Sequence, residues 1–132
     1  MKQRSMLTLE DCKKISAAAE AEARKNNWNV CIAILDDGGH LLHLVRMDGA
    51  TPANARIAVE KGRTAAETRR STANWQERVG KRPEMLRMPG ITPVQGGLPI
   101  MVEGVGLGGV GVSGVQSHED EQIAAAGIKA LG

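Results

Sequence analysis

The 132-residue sequence predicts an α/β protein of the α+β kind, with helices on both faces of an antiparallel sheet. Three observations carry this. Apolar runs are joined by tight glycine turns, at Asp36-Asp37-Gly38-Gly39 and at Glu103-Gly104. The runs around the first turn are apolar on both faces, so each face needs a cover. Helical patterns stand at the start, the middle and the end of the chain.

The first helix begins with Thr8-Leu9-Glu10-Asp11, a capping-box pattern, and runs to about Lys25. Leu9, Cys12, Ile15, Ala19 and Ala23 fall on or near one face. Asn26-Asn27 ends it. The hairpin Trp28–Gly49 follows, with strands Asn29–Leu35 and Leu41–Met47. A two-residue turn at Asp37-Gly38 would pair Leu35 with His40, Ala33 with Leu42 and Cys31 with Leu44. In that register Cys31 and His43 lie on opposite faces.

Thr51-Pro52 is a strong helix start, and the helix should reach about Arg70. Arg56, Glu60, Arg63, Glu67 and Arg70 alternate in sign along a solvated stripe. The other side carries Ala55, Ala58, Val59, Gly62, Ala65 and Ala66, small enough to lie close on a sheet. Residues 71–90 read as an irregular excursion, a flap or an arm, with a short helix from Ser71 or Thr72 to Val79 and another turn at Pro83. A short strand is expected near Ile91–Val94, joined through Gly96-Gly97 to Leu98–Glu103 and then to Leu107–Val115. The last helix should start at Ser117.

Composition narrows the function classes. One domain, 1–132, is expected from the length. Net charge is +2, from 17 basic and 15 acidic residues, too balanced to argue for nucleic acid or a membrane surface. No run approaches the ~20 apolar residues of a membrane span. The N-terminus lacks a signal-peptide core, so a cytoplasmic location is expected. Cys12 and Cys31 show no metal-ligand spacing, and no metal site is expected. Phe and Tyr are absent, and Trp28 and Trp75 are the only aromatics.

No residue set forms a complete catalytic motif. Gly104-x-Gly106-x-x-Gly109 matches the dinucleotide fingerprint in letters, but it lies inside a predicted strand and leads into no helix. Glycines there mark close approach of another backbone or of a ligand. Gly111-Val112-Ser113-Gly114 lacks the second glycine of a nucleophile elbow. His40 stands at the hairpin turn. His43, between Leu42 and Leu44, is either a core or interface histidine or a haem or metal ligand. Arg46, Asp48 and Lys61 form either an ion-paired set or the mouth of an anion pocket.

These same residues resemble the GlcG/HbpS family, the haem-degrading domain family. The likeness is carried by Asp36-Asp37-Gly38-Gly39-His40-Leu41, Arg46-Met47-Asp48-Gly49-Ala50 and Ile57-Ala58-x-x-Lys61-x-x-Thr64-Ala65-Ala66. Gly96-Gly97-x-Pro99-Ile100, Gly111-Val112-Ser113-Gly114 and Glu119-Asp120-Glu121-x-x-Ala124 continue it, adding Gly97 and Ser113 to the candidate positions. The resemblance implies a profilin-like fold, with a five-stranded antiparallel sheet between helices. It implies a homo-oligomer, often an octamer, and haem as a candidate ligand. The C-terminal domain of PduO-type proteins is similar. Relatives are encoded beside glycolate oxidation genes or genes of cobalamin-dependent diol and glycerol breakdown.

The leading expectation is therefore an oligomeric protein that binds haem, another tetrapyrrole or a small anionic metabolite. A second is an enzyme acting on a small hydroxy acid or aldehyde, with Arg46 and Lys61 holding the anion. A third is an accessory protein that binds a metabolic enzyme through residues 71–90.

Overall fold

The computed structural model describes residues Met1 to Gly132. In chain order the elements are α1 (Leu9–Lys25), β1 (Cys31–Asp36), β2 (Leu41–Arg46), α2 (Pro52–Thr68), α3 (Thr72–Lys81), a 3₁₀ turn (Pro83–Arg87), β3 (Gly97–Val102), β4 (Val105–Ser113) and α4 (Ser117–Lys129). The strands form one antiparallel sheet in the order β2-β1-β4-β3. Helices α1 and α4 cover one face, and α2 covers the other. The three layers expected from the sequence are present. The sheet has four strands rather than five, because residues 91–94 form no strand. The Thr92 N–H donates instead to Thr64 Oγ1 on α2, at 2.9 Å.

Local chemistry accounts for the ends of the elements. Thr8 Oγ1 accepts the Asp11 N–H at 3.1 Å, and the Asp11 carboxylate accepts the Thr8 N–H at 2.8 Å. This reciprocal pair satisfies two N–H groups that helix geometry leaves free. Ser71 Oγ accepts the Asn74 N–H at the start of α3. Gly80 does not end α3, which continues through Lys81. The N-cap of α4 is Gln116 rather than Ser117, and its N–H donates to the Glu119 carboxylate at 3.1 Å.

The main core lies between the sheet and the α1/α4 layer. It joins Val30, Ile32, Ile34, Ile100, Val110 and Val112 to Ile15 and Ile123. β-Branched side chains dominate the sheet side, where they suit the pleat. The α2 side is built differently. Cys31, Ala33 and Leu35 pack against Ala58, with Ala55 and Val59 at the margin. Along β4 this face presents glycine. A Cβ on Gly111 would fall on the Ala58 carbonyl oxygen and 2.9 Å from the Gly62 Cα. A Cβ on Gly109 would lie 2.9 Å from the Ala66 amide nitrogen. The glycine run therefore serves the close approach of α2, main chain against main chain.

The first hairpin departs from the predicted register. Its loop has three residues, Asp37-Gly38-Gly39. The Gly39 N–H donates to Asp36 O, and Gly39 takes the left-handed conformation with φ +81°. This is a turn closed by a left-handed glycine, a standard three-residue hairpin solution. Cys31 consequently pairs with Arg46, Ala33 with Leu44 and Ile34 with His43, and a bulge precedes Leu35 opposite Leu41. The slip is two residues over most of the ladder, so the face assignments survive. Cys31 and Arg46 face α2, whereas His43 shares the α1 face with Ile34.

Candidate functional site: the seam between α2 and the edge strand β2

β2 is an edge strand, and the surface where it meets α2 carries a groove of about 530 Å³. Leu44, Ala55, Ile57 and Val59 form its apolar lining, with Arg56, Glu60 and Thr92 as polar members. The size lies within the range of small-molecule sites. Leu41, Leu42 and Leu44 are exposed along β2, as is Ile57 on α2. Exposed leucines on an edge strand are unusual, since such edges are commonly blunted by charge.

At the hairpin end of this seam, Asp36 organises the turn. Its Oδ1 accepts the N–H groups of Gly38 and His40, both at 2.9 Å, and lies 3.2 Å from His40 Nδ1. Partial burial pushes the Asp36 carboxyl up. The His40 and Gly38 N–H groups and the His40 ring more than offset this, leaving it below the ordinary value. Across the seam, Arg63 Nε donates to Gly39 O at 3.3 Å and Arg63 pairs with Glu60. Arg4 pairs with Asp37, and Arg69 donates to Asp37 O at 3.1 Å.

The sequence candidates divide among separate places. Cys31 is fully buried under α2, and burial pushes its thiol up although Arg46 pulls the other way. It is an inert thiol rather than an accessible ligand. His43 is half-buried on the opposite face. Arg46 and Asp48 are exposed at the far end of β2. Ser113 is buried beside Cys31 in the ladder, and its hydroxyl donates to Asn54 Oδ1 at 3.1 Å. Gly97 is buried at the start of β3, where its N–H donates to Thr72 Oγ1 at 2.8 Å.

Lys61 does not join Arg46 and Asp48. Its ammonium is buried, donating to Val112 O and to Asp120 Oδ2, each at 3.0 Å. Asp120 Oδ1 accepts the Val115 N–H at 3.1 Å. Both side chains are 3% exposed. Burial pushes the Asp120 carboxyl up, and Lys61 and the Val115 N–H pull it back only in part. The expected pocket mouth made jointly by Arg46 and Lys61 is therefore not formed: Lys61 is committed to Asp120. Its position was legible in the helix period, since Lys61 falls between Ala58 and Ala65 on the buried face. Asp120 belongs to the Glu119-Asp120-Glu121 motif, and nothing in the helix period marks it as the partner of Lys61.

Comparison with known proteins now decides the family. A model of haem-degrading HbpS-like proteins matches residues 7–129. The chain belongs to the HbpS-like family. Protein GlcG of Escherichia coli K12 is 46% identical over 114 residues, 86% of this chain and 85% of that protein. The crystal structure of a double mutant of Streptomyces reticuli HbpS is 34% identical, with a TM-score of 0.93, covering 100% of this chain and 91% of that one. The crystal structure of a PduOC:haem complex has a TM-score of 0.87 at 24% identity, covering 96% and 95% of the two chains. That last likeness is one of fold. In this chain the Lys61–Asp120 link joins two of the sequence motifs that carried the resemblance. No helix of the chain is long and apolar enough to cross a membrane.

Proposed function

We propose that this chain binds haem or a related anionic tetrapyrrole in the seam between α2 and β2. The observation that carries the reading is the open apolar groove, 530 Å³ in volume, on a chain of the HbpS-like family. Leu44, Ala55, Ile57 and Val59 suit the flat apolar body of a macrocycle. Arg56 stands at the same groove and suits a propionate carboxylate, which its guanidinium can hold through two N–H groups. Glu60, paired with Arg63, and Thr92 are the lining's oxygen donors, and the remaining apolar wall suits the macrocycle. The two buried free thiols, Cys12 and Cys31, suit a reducing cytoplasm.

Titration with haemin, followed by the Soret band, and with metal-free protoporphyrin IX, followed by fluorescence, tests this. Both should bind, and Ile57→Asp should weaken both by about tenfold or more, the cost of setting a charge against an apolar ligand face. Failure of both porphyrins to bind the wild-type chain would remove the reading.

We further propose self-association through the opposite edge of the sheet. β3 is the other edge strand, and Met101 and Val102 are exposed on it beside Ile128 and Leu131. An edge strand meeting its own copy across a two-fold axis gives an isologous contact and even-numbered assemblies. Sedimentation should report an oligomer that Met101→Glu dissociates. A monomer in the wild type would end this proposal.

A further inference from the structure

We propose that the outer edge of β2 takes up an extended segment of a partner protein as a fifth strand of the sheet, and that it selects the order acid-x-aliphatic-x-aliphatic. The inference goes beyond the tetrapyrrole reading and does not rest on it, because it depends on main-chain groups of β2.

The register shows which groups are free. The Met47 N–H donates to Val30 O at 3.0 Å, and the Asp36 N–H donates to His40 O at 2.9 Å. Along an antiparallel strand, alternate residues turn both main-chain groups to the same neighbour. Val45 and His43, in step with Met47, therefore face β1, opposite Ile32 and Ile34. Leu44 and Arg46 turn their N–H and C=O groups away from β1, and no strand lies beyond β2. These four groups are a template for another main chain. Nothing blunts this part of the edge: Leu41–Arg46 contains no proline, lysine or carboxylate, and the bulge lies past His43, toward the hairpin tip.

The side chains of β2 set the order. The two residues of a cross-strand pair stand on the same face of a sheet. Leu44 and Arg46 are on the α2 face. An incoming residue opposite Leu44 therefore enters the groove against Ala55, Ile57 and Val59, which take an aliphatic side chain. The residue opposite Arg46 meets an exposed guanidinium that belongs to none of the chain's ion pairs, and a carboxylate complements it. In an antiparallel strand that acid comes two residues before the aliphatic one. A second aliphatic residue, two further on, meets the exposed Leu41 and Leu42. The residues between fall beside the half-buried His43 and Val45, where threonine fits the pleat. A second copy of β2 is not the matching strand, since it brings leucines but no acid for Arg46.

Fluorescence anisotropy with a labelled Thr-Glu-Thr-Ile-Thr-Val peptide tests this. The wild-type chain should bind it saturably, and the Leu44 and Arg46 amides should gain protection from hydrogen exchange. N-methylating the isoleucine removes the N–H that meets Leu44 O and should weaken binding about tenfold. N-methylating the threonine before it, whose N–H points away from β2, should leave the affinity unchanged. Arg46→Glu should lose affinity for this peptide and regain it when lysine replaces the glutamate. Equal binding of the two N-methylated peptides would mean that side chains fill the groove without strand pairing, and would overturn the proposal. So would the absence of saturable binding to the wild type, or a wild-type oligomer that Arg46→Glu dissociates, which would put a second copy on β2. The porphyrin titrations read the groove alone: if they fail while the peptide binds, strand addition stands and the tetrapyrrole reading falls.

Discussion

Lys61 of α2 and Asp120 of α4 meet at 3.0 Å although their helices pack on opposite faces of the sheet. The lysine passes the start of β3, where Gly96 and Gly97 provide the space. A Cβ on Gly96 would lie 2.7 Å from Lys61 Nζ. One ion pair thus ties the outer layers together around the end of a short strand. Removing one partner leaves the other charge buried without compensation, which costs about 3–5 kcal/mol. Lys61→Ala should lower the urea midpoint accordingly. Lys61→Met combined with Asp120→Leu should be less destabilised than either single variant, because no buried charge remains.

The glycine interface makes a paired prediction. Gly111→Ala forces a methyl into the α2 main chain and should destabilise by about 1–3 kcal/mol or more. Gly80→Ala lies within α3 with no heavy atom within 4 Å of the new Cβ, so it should stabilise by about 0.5–1 kcal/mol. Thermal unfolding of the two variants should move in opposite directions.

The β3–β4 turn offers a third test. Val102 pairs with Val105, and both loop residues are left-handed, Glu103 at φ +51° and Gly104 at φ +78°. This is a two-residue turn of the kind that favours Asn-Gly. Glu103→Asn should raise stability by about 0.5–1 kcal/mol in chemical unfolding.

Asp36 gives a pH dependence. Its carboxyl lies below the ordinary value in the folded chain, so the folded state binds fewer protons than the unfolded one in the acid range. The stabilisation is therefore present above the ordinary carboxylate range and is lost as pH falls through the folded value. Asp36→Asn should be less stable than wild type at neutral pH, and the gap should close on acidification. A thermal midpoint series from about pH 7 to pH 3 checks the sign.

The helices were legible because their signals are local. The Thr8–Asp11 box, Thr51-Pro52 and the small-residue face of α2 each sit within a few residues of one another. The turn at Asp36 was located correctly but closed one residue later, because Gly39 rather than Gly38 takes the left-handed position. The strand expected at Ile91–Val94 failed because Thr64, 28 residues away, captures the Thr92 N–H. The partner of Lys61 was hidden for the same reason: Asp120 lies 59 residues on, and nothing local marks it. Likewise the seam joins β2 to α2 through tertiary packing, and its volume has no sequence signature. The separation of Cys31 from His43 was readable, because alternation along a strand needs only the parity of the register.

The contact between α2 and β4 sets a dimension as well as a packing. With no side chains between the two main chains at Ala58, Gly62, Gly109 and Gly111, the height of α2 above the sheet is fixed by atoms common to all residues. The groove beside it inherits that height. Leu44 and Ile57, exposed at the groove, can therefore be exchanged to alter what it prefers while its gauge stays constant. A relative that kept these glycines and changed the lining would keep the mould and change the casting.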